Sequence, residues 1–508
     1  MIVELSAVHL MAPWFGSTNA VWTNAIGVIL LALSMGYALG AHWSRAPKPS
    51  IRLVQVLMVA AIWVSLLPWI NGPVAGWFMP QGVTLDGAVS LLFWGSLACS
   101  AVLFVPPAWM LGCVAPLAVE LLARGDEDQA GHAGGRVLAV STLGSLVGTF
   151  ATTYWLIPSL GLRLTFGLAA LALALAASLI ALPRKRYAPL GLWILVPLFA
   201  GLAPDASPST PNGLKLLAQE QSPYQFLRVV ENEEGRRLVV NEALDSFQSV
   251  WRDRPGLIGP GHYYDYFVPP VHWDTQQDSW ELLTLGLGAG TAVRVLEGEL
   301  PNGVELRSTG VEIDPQIVRL GVEFFDLEVN DSSRRVLSGM DARAALRLAA
   351  TDFDQIILDA YANNMEIPTH LCSVEFFEEV RSHLRPGGWF TVNVAGFGLQ
   401  DVLVDAVAQT VASAFDAEVL LVRVPFSRNC MLYARNGETP LIPSNAKFLA
   451  GSPGLQSRLQ SLRIPGAWRV VTPTGNPPLT DDYNPILALQ RRSVEQGFQA
   501  LQAKGLGL

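Results

Sequence analysis

Glu312, Asp341 and Asp359 are the residues whose types and spacing best suit chemistry on a bound small molecule. Each closes a short apolar run: STGVE ends at Glu312, RRVLSGMD reaches Asp341, and FDQIILD ends at Asp359. A carboxylate at a buried strand tip needs a compensating partner. A ligand hydroxyl, an ammonium group or a helix N-terminus can supply one. Upstream, LLTLGLGAGTAVRVL places Gly286, Gly288 and Gly290 directly after an apolar strand. Closely spaced glycines let backbone approach a ligand where a side chain would clash. The acid at the tip of the following strand, Glu312 with Asp314 beyond it, is placed to accept hydrogen bonds from ribose hydroxyls. The expected ligand is a nucleoside at the carboxyl edge of a parallel sheet. Asp341, followed by Ala342, Ala344 and Ala345, also has the makings of a helix cap.

The elements that must hold these acids alternate strand with helix. Strands are expected at 282–287, 304–311, from 335, and at 353–358, 390–394, 417–424 and 429–434. That alternation predicts a doubly wound α/β sheet, whose ligands sit beyond the carboxyl ends of the strands. Ahead of it, YQFLRVVENEEGRRLVVNE reads as a β-hairpin turning at Glu234-Gly235, and GHYYDYFVPPVHW brings tyrosines and histidines together at 261–273. The aromatic cluster suits the pocket of a second substrate and suits plain packing nearly as well.

Charge divides the chain in two. Residues 1–203 carry nine Lys or Arg and six Asp or Glu; the remainder carries 25 basic and 37 acidic residues. An acidic C-terminal half is a poor nucleic-acid surface. Apolar segments at 21–40, 53–70, 87–105, 106–122, 136–158, 163–182 and 188–203 crowd the first half. Several approach the roughly 20 residues needed to span a bilayer core of about 30 Å. The expectation is an integral protein of the inner or plasma membrane. Arg45, Lys48 and Arg52, and the cluster Arg184, Lys185 and Arg186, mark cytoplasmic loops. A full crossing by 188–203 would put the acidic half outside, whereas a nucleoside made in the cytoplasm calls for it inside. A re-entrant or interfacial 188–203 segment satisfies both, so the soluble half is expected on the cytoplasmic side. The four cysteines have no metal-ligand spacing and no HExxH occurs, so no metal site is expected.

Taken together, SPYQFLRVV, GLGAGTAVRVL, GVEIDPQIVRLGVEFF, SGMDARAAL, FDQIILDAY and LTDDYNP resemble the membrane-attached branch of the spermidine synthase (polyamine aminopropyltransferase) family. The N-terminal VWTNAIGVILLALSMGYALG and GRVLAVSTLGSLVGTFATTYWLIPSLGLRLT resemble its membrane segments. The resemblance implies a Rossmann-like sheet of the class I methyltransferase type. It implies decarboxylated S-adenosylmethionine as a co-substrate, with no tightly bound cofactor, and a small amine such as putrescine as acceptor. By the same resemblance Gly286, Gly288 and Gly290 border the nucleoside, Glu312 holds the ribose, Asp341 lies near the adenine and Gln248 matches a glutamine of the N-terminal part. Asp359 matches the catalytic aspartate and Tyr264 the pocket tyrosine. A homodimer is compatible with it.

Two positions depart from the family pattern. Soluble members carry an aspartate in the glycine loop where this chain has Ala289, and a second aspartate soon after the catalytic one where it reads DAYANNMEIP. Asp481 and Asp482 are the tentative replacements for the missing acceptor charge, although they also suit a turn before Asn484-Pro485. Ala289 leaves room for intact S-adenosylmethionine, so a methyltransferase-like enzyme with a membrane-associated acceptor is the alternative. A non-enzymatic polyamine- or nucleoside-binding transporter or sensor is a third reading. The expected boundaries are a transmembrane helical domain at 1–203, a linker at 204–222, a small β region at 223–275, the nucleoside-binding domain at 276–440 and a C-terminal extension at 441–508.

Overall fold

Apolar composition favours helices in the first 200 residues and a gain in charge ends that pattern, and the computed structural model falls into two units: Met1–Pro211 with Glu220–Phe226, and Asn212–Gln219 with Leu227–Leu508. Described are residues 1–503 except 17, 80–84, 124–129, 185–191, 205, 206, 208, 209, 211, 212, 242–246, 275–277, 330, 332, 350, 351, 363–365, 475 and 476. Lys185 and Arg186 of the second basic cluster lie outside them.

The first unit contains α1 (Ile2–Phe15), α2 (Asn19–Ser44), α3 (Pro49–Phe78), α4 (Leu85–Ala123), α5 (Ala130–Ala151), α6 (Ile157–Ala181) and α7 (Leu192–Gly201). Among the described residues, four helical stretches are long and apolar enough to cross a membrane: Ala20–Ser44, Pro49–Phe78, Leu92–Ala123 and Gly131–Ala181. The last includes a π-helical turn at Thr152–Leu156 and a break at Gly161, where φ is 73°. The segments expected separately at 87–105 and 106–122 are one helix, with Pro106, Pro107 and Pro116 inside it. Apolar helices tolerate proline where neighbouring groups take up the freed backbone carbonyls. With ten residues, α7 is about 15 Å long at 1.5 Å per residue. Small residues join α2 to α4: a Cβ on Gly36 would strike the Trp109 carbonyl, and one on Gly40 would come within 2.8 Å of the Cys113 Cα.

The second unit opens with an antiparallel sheet of β1 (Lys215–Gln221), β2 (Phe226–Asn232), β3 (Gly235–Val240) and β4 (Ser249–Trp251). The expected hairpin is β2–β3, with Asn232 opposite Gly235. Gly235 turns at φ 137°, and a Cβ there would run into the Trp251 carbonyl, so glycine is required. The linker expected over 204–222 therefore contains a strand, β1, which pairs with β2.

After α8 (Pro269–Trp273) the main sheet builds up from β5 (Ser279–Leu285), α9 (Thr291–Gly298), β6 (Glu305–Glu312), α10 (Pro315–Phe324), β7 (Arg334–Ser338), α11 (Ala342–Leu348), β8 (Phe353–Leu358), α12 (Val374–His383), β9 (Leu384–Ala395), α13 (Val402–Phe415), β10 (Val419–Arg423), β11 (Asn429–Arg435), α14 (Pro453–Ser461), β12 (Trp468–Val471) and α15 (Ile486–Ala503). The strand order is β12-β10-β11-β9-β8-β5-β6-β7. From β7 to β9 all neighbours are parallel, while β11 runs antiparallel to β9 and to β10. Every residue of β8 is buried, as a strand covered on both faces requires. Ile356 and Leu358 pack on one face with α12 and α13; Ile357 packs on the other with Phe267, Trp273 and Phe448. Residues 441–508 are thus more than an extension: β12 is an edge strand of the sheet, and Phe448, Leu455 and Leu459 belong to its core.

Candidate active site

The sheet order reverses at β5. The chain crosses from β5 toward β6 on one side, and β8 lies on the other, with Leu285 opposite Val311 and Leu358. Such a switch point opens a crevice beyond the strand ends. Gly286 follows β5 and Asp359 follows β8, and the Asp359 N–H donates to the Leu285 carbonyl at 2.9 Å. Glu312 ends β6 and Asp341 follows β7, so all the expected positions on the main sheet share one rim.

The three glycines serve the protein's own packing. Each has positive φ: 88° at Gly286, 56° at Gly288 and 91° at Gly290. A Cβ at Gly286 would lie 2.5 Å from the Asp359 carbonyl oxygen, at Gly288 2.7 Å from Ser249 Oγ, and at Gly290 2.8 Å from Leu327 Cδ1. The loop is therefore threaded between β8's end, β4 and the segment after α10. Ala289 is 2% exposed in a cluster with Leu227, Val229, Leu238 and Leu320. Its side chain packs against these apolar residues.

Glu312 is buried, and both its oxygens accept backbone N–H groups: Oε2 from Gly288 at 2.9 Å and Oε1 from Asp314 at 3.0 Å. The glycine loop and the acid thus orient each other. Burial pushes its carboxyl up to about 7, against the pull of those hydrogen bonds. Asp341 is an N-cap. Its Oδ1 accepts from Arg343 N and Ala344 N, both at 3.0 Å, and Oδ2 lies 2.8 Å from His370 Nε2.

Asp359 sits among neutral donors. Its Oδ2 accepts the Tyr263 hydroxyl at 3.0 Å and its Oδ1 accepts Asn393 Nδ2 at 2.9 Å. Desolvation raises its carboxyl to about 6 even though both hydrogen bonds favour the ion. Tyr264, matched to the pocket tyrosine, does not itself donate to Asp359. It is 2% exposed, and its hydroxyl donates to the Gln248 carbonyl at 2.8 Å. Gln248 is thereby pinned through its backbone, and its neighbour Ser249 accepts the Ala289 N–H at 2.8 Å. Thr291 exchanges hydrogen bonds with both backbone groups of Val250, which ties β4 to the start of α9.

The C-terminal acids go elsewhere. Asp481 forms a two-pronged ion pair with Arg343, Oδ1 to Nη1 at 2.7 Å and Oδ2 to Nη2 at 2.8 Å, and also accepts the Ser373 hydroxyl. Arg343 is 7% exposed and binds Glu379 as well. Asp481 thus neutralises a buried guanidinium. Asp482 is exposed on the same turn. Tyr263, Asn393, Ser249 and Thr291 were missed by sequence reasoning. A usable signal existed only for Asn393, a polar residue inside the apolar run WFTVNVA.

This fold is a Rossmann-like α/β domain of the methyltransferase type, with Glu312, Asp341 and Asp359 on one rim of its sheet. Within it, residues 295–443 match the spermine/spermidine synthase domain. The chain is 34% identical over 304 residues to a probable polyamine aminopropyl transferase of Bifidobacterium longum, covering 55% of this chain and 64% of the relative. A polyamine aminopropyltransferase of Oceanobacillus iheyensis is 28% identical over 246 residues, 46% of this chain and 45% of that protein. The chain thus spans less than two thirds of the length of these relatives. The crystal structure of a probable spermidine synthase from Corynebacterium glutamicum aligns at 19% identity with a TM-score of 0.41, covering 54% of this chain and 97% of that one.

Proposed function

We propose that the protein transfers an aminopropyl group from decarboxylated S-adenosylmethionine to an amine, a diamine such as putrescine in the first instance, and releases methylthioadenosine. The observation that carries this reading is Asp359: a partly buried carboxylate at the switch point, flanked by neutral donors, beside a crevice suited to a nucleoside. The acceptor nitrogen attacks the propyl carbon bonded to the sulfonium. The carbon–sulfur bond breaks, its electron pair stays on sulfur, and a proton leaves the amine. Alkyl amines are mostly protonated at neutral pH, with pKa values near those of lysine. Asp359 attracts that cation and takes its proton. Tyr263 holds the carboxylate, Glu312 the ribose, and Asp341 with His370 borders the base. Alignment of nitrogen, carbon and sulfur supplies much of the remaining rate. The apolar helices anchor the enzyme in the membrane, with the α/β half on the cytoplasmic side.

The test is an assay of the full chain in detergent or nanodiscs with decarboxylated S-adenosylmethionine and a panel of amines, reading methylthioadenosine by mass spectrometry. Release dependent on the amine supports the reading. Methyl transfer from intact S-adenosylmethionine, with no methylthioadenosine from the decarboxylated donor, overturns it.

A further inference from the structure

Asn393 is 3% exposed on β9, and a buried amide in a central strand needs every polar atom matched. Its Nδ2 donates to Asp359 Oδ1 at 2.9 Å, and its Oδ1 accepts Asn429 Nδ2 at 2.8 Å. Asn429 in turn accepts the Ser427 hydroxyl on its own Oδ1 at 2.6 Å. Turning the Asn393 amide over would set its carbonyl against the carboxylate and its NH2 against the NH2 of Asn429. Both contacts repel, so one orientation is selected. The backbone is held as well: Tyr361 donates its hydroxyl to the Asn393 carbonyl at 2.7 Å and accepts the Ala395 N–H at 2.9 Å. Ser427 lies in the β10–β11 turn, where Phe426 keeps φ at 60° with its ring 94% exposed, and Asn429 opens β11.

We infer that Asn393 is a positioning residue for Asp359, its NH2 set toward the carboxylate and its carbonyl anchored by Asn429, so that the start of β11 sets the plane in which the carboxylate meets the acceptor amine. The inference rests on Asp359 acting at that amine. The titratable groups facing Asp359 are Tyr263 and Tyr264 from the preceding turn and Tyr361 from its own strand end. Burial and the Asp359 charge hold all three phenols above their ordinary range. Cys430 of β11 and Cys372, which face Tyr361, are likewise raised by burial, Cys430 to about 12. Burial also raises Glu312, on the same rim, to about 7, so the part of the acid limb that belongs to Asp359 is the part that moves with Asn393.

The experiment is an infrared pH titration of the carboxyl band in the detergent-solubilised full chain, with Asp359→Asn to assign the signal. Loss of one donated hydrogen bond to the ion is expected to move the Asn393→Ala midpoint up by about one pH unit. Asn429→Ala, which frees the amide to turn, moves it in the same direction by less. The acid limb of turnover follows the infrared midpoint in both variants. A midpoint unmoved in Asn393→Ala overturns the inference. Should that variant not fold, an unmoved midpoint in Asn429→Ala does so. The infrared readout needs no turnover. A wild-type chain inactive with every amine but with an Asn393-dependent midpoint sinks the proposed reaction and leaves the positioning role standing.

Discussion

Asp481 closes a two-pronged ion pair on Arg343 from 138 positions away in sequence, and so ties the segment before α15 to the first turn of α11. Arg343 is two residues beyond Asp341, the cap of that helix. The LTDDYNP stretch completes the clip: Asn484 Nδ2 donates to the carbonyls of Thr369 and Cys372, and the Asp481 N–H donates to Glu375. The far end of the chain thus braces the region proposed for the adenine. Replacing Asp481 with Ala leaves a largely buried guanidinium short of an acceptor, at a cost of about 1–3 kcal/mol. The expected outcome is a lower unfolding midpoint and weaker nucleoside binding, with the amine KM unchanged. A selective rise in amine KM would return Asp481 to the acceptor site.

Asp359→Asn keeps the size and most of the hydrogen bonding of the side chain but removes its basicity. Turnover is expected to fall by about 10²–10⁴-fold, while calorimetry shows the nucleoside still binding. Turnover at the wild-type rate removes Asp359 from the chemistry.

The adjacent tyrosines separate by effect. Tyr263→Phe deletes a donor to Asp359 and is expected to lower kcat and shift the acid limb of the pH profile upward. Tyr264→Phe deletes the bond to the Gln248 carbonyl and costs about 1 kcal/mol of stability, with that limb unmoved. The reverse assignment of the two phenotypes would contradict the geometry.

Stability and activity should run oppositely with pH. Asp359 and Glu312 have folded-state carboxyls raised to about 6 and about 7 from ordinary values of 3.8 and 4.5. A raised carboxyl favours the folded state in its protonated form, so its contribution is complete below the ordinary value and is lost as pH rises through the folded one. The α/β half is therefore expected to unfold at higher temperature at pH 5 than at pH 8, as far as these two groups contribute. Asp359→Asn and Glu312→Gln flatten that dependence and are the more stable at pH 8. Turnover needs ionised Asp359 and falls as pH drops through about 6. Melting curves at several pH values with and without each substitution check the sign.

Glu312→Ala is expected to weaken nucleoside binding by about 1.5–3 kcal/mol through loss of a charge-assisted hydrogen bond. An unchanged dissociation constant by calorimetry would take Glu312 out of the ribose site.

Much of this was legible in the sequence because it depends on neighbours along the chain. The β2–β3 turn at Gly235, the strand ends at Glu312 and Asp359 and the crowding of apolar segments before residue 203 all follow from local pattern. Asp341 read both as a cap and as a site acid, and it does cap α11. The choice between Tyr263 and Tyr264 was not legible. Both lie in the 3-10 turn Tyr263–Phe267 with ring centroids 4.2 Å apart, so only the placement of that turn decides which hydroxyl reaches Asp359. Nor was Ala289: spacing within the glycine loop says nothing of the apolar side chains from the small sheet and α10 that close over it.

By itself the sequence determined which segments are apolar helices, which alternate as strands and helices, and that three acids end their strands on one rim. These are consequences of periodicity and chain direction, which are local. Only the tertiary structure decided what each side chain meets. Pairing β9 between β8 and β11 brings Asn393 to Asp359, and folding the C-terminal segment back takes Asp481 to Arg343. Such contacts depend on strand order and on the buried charge that most needs a partner, and neither is written in the spacing of residues along the chain.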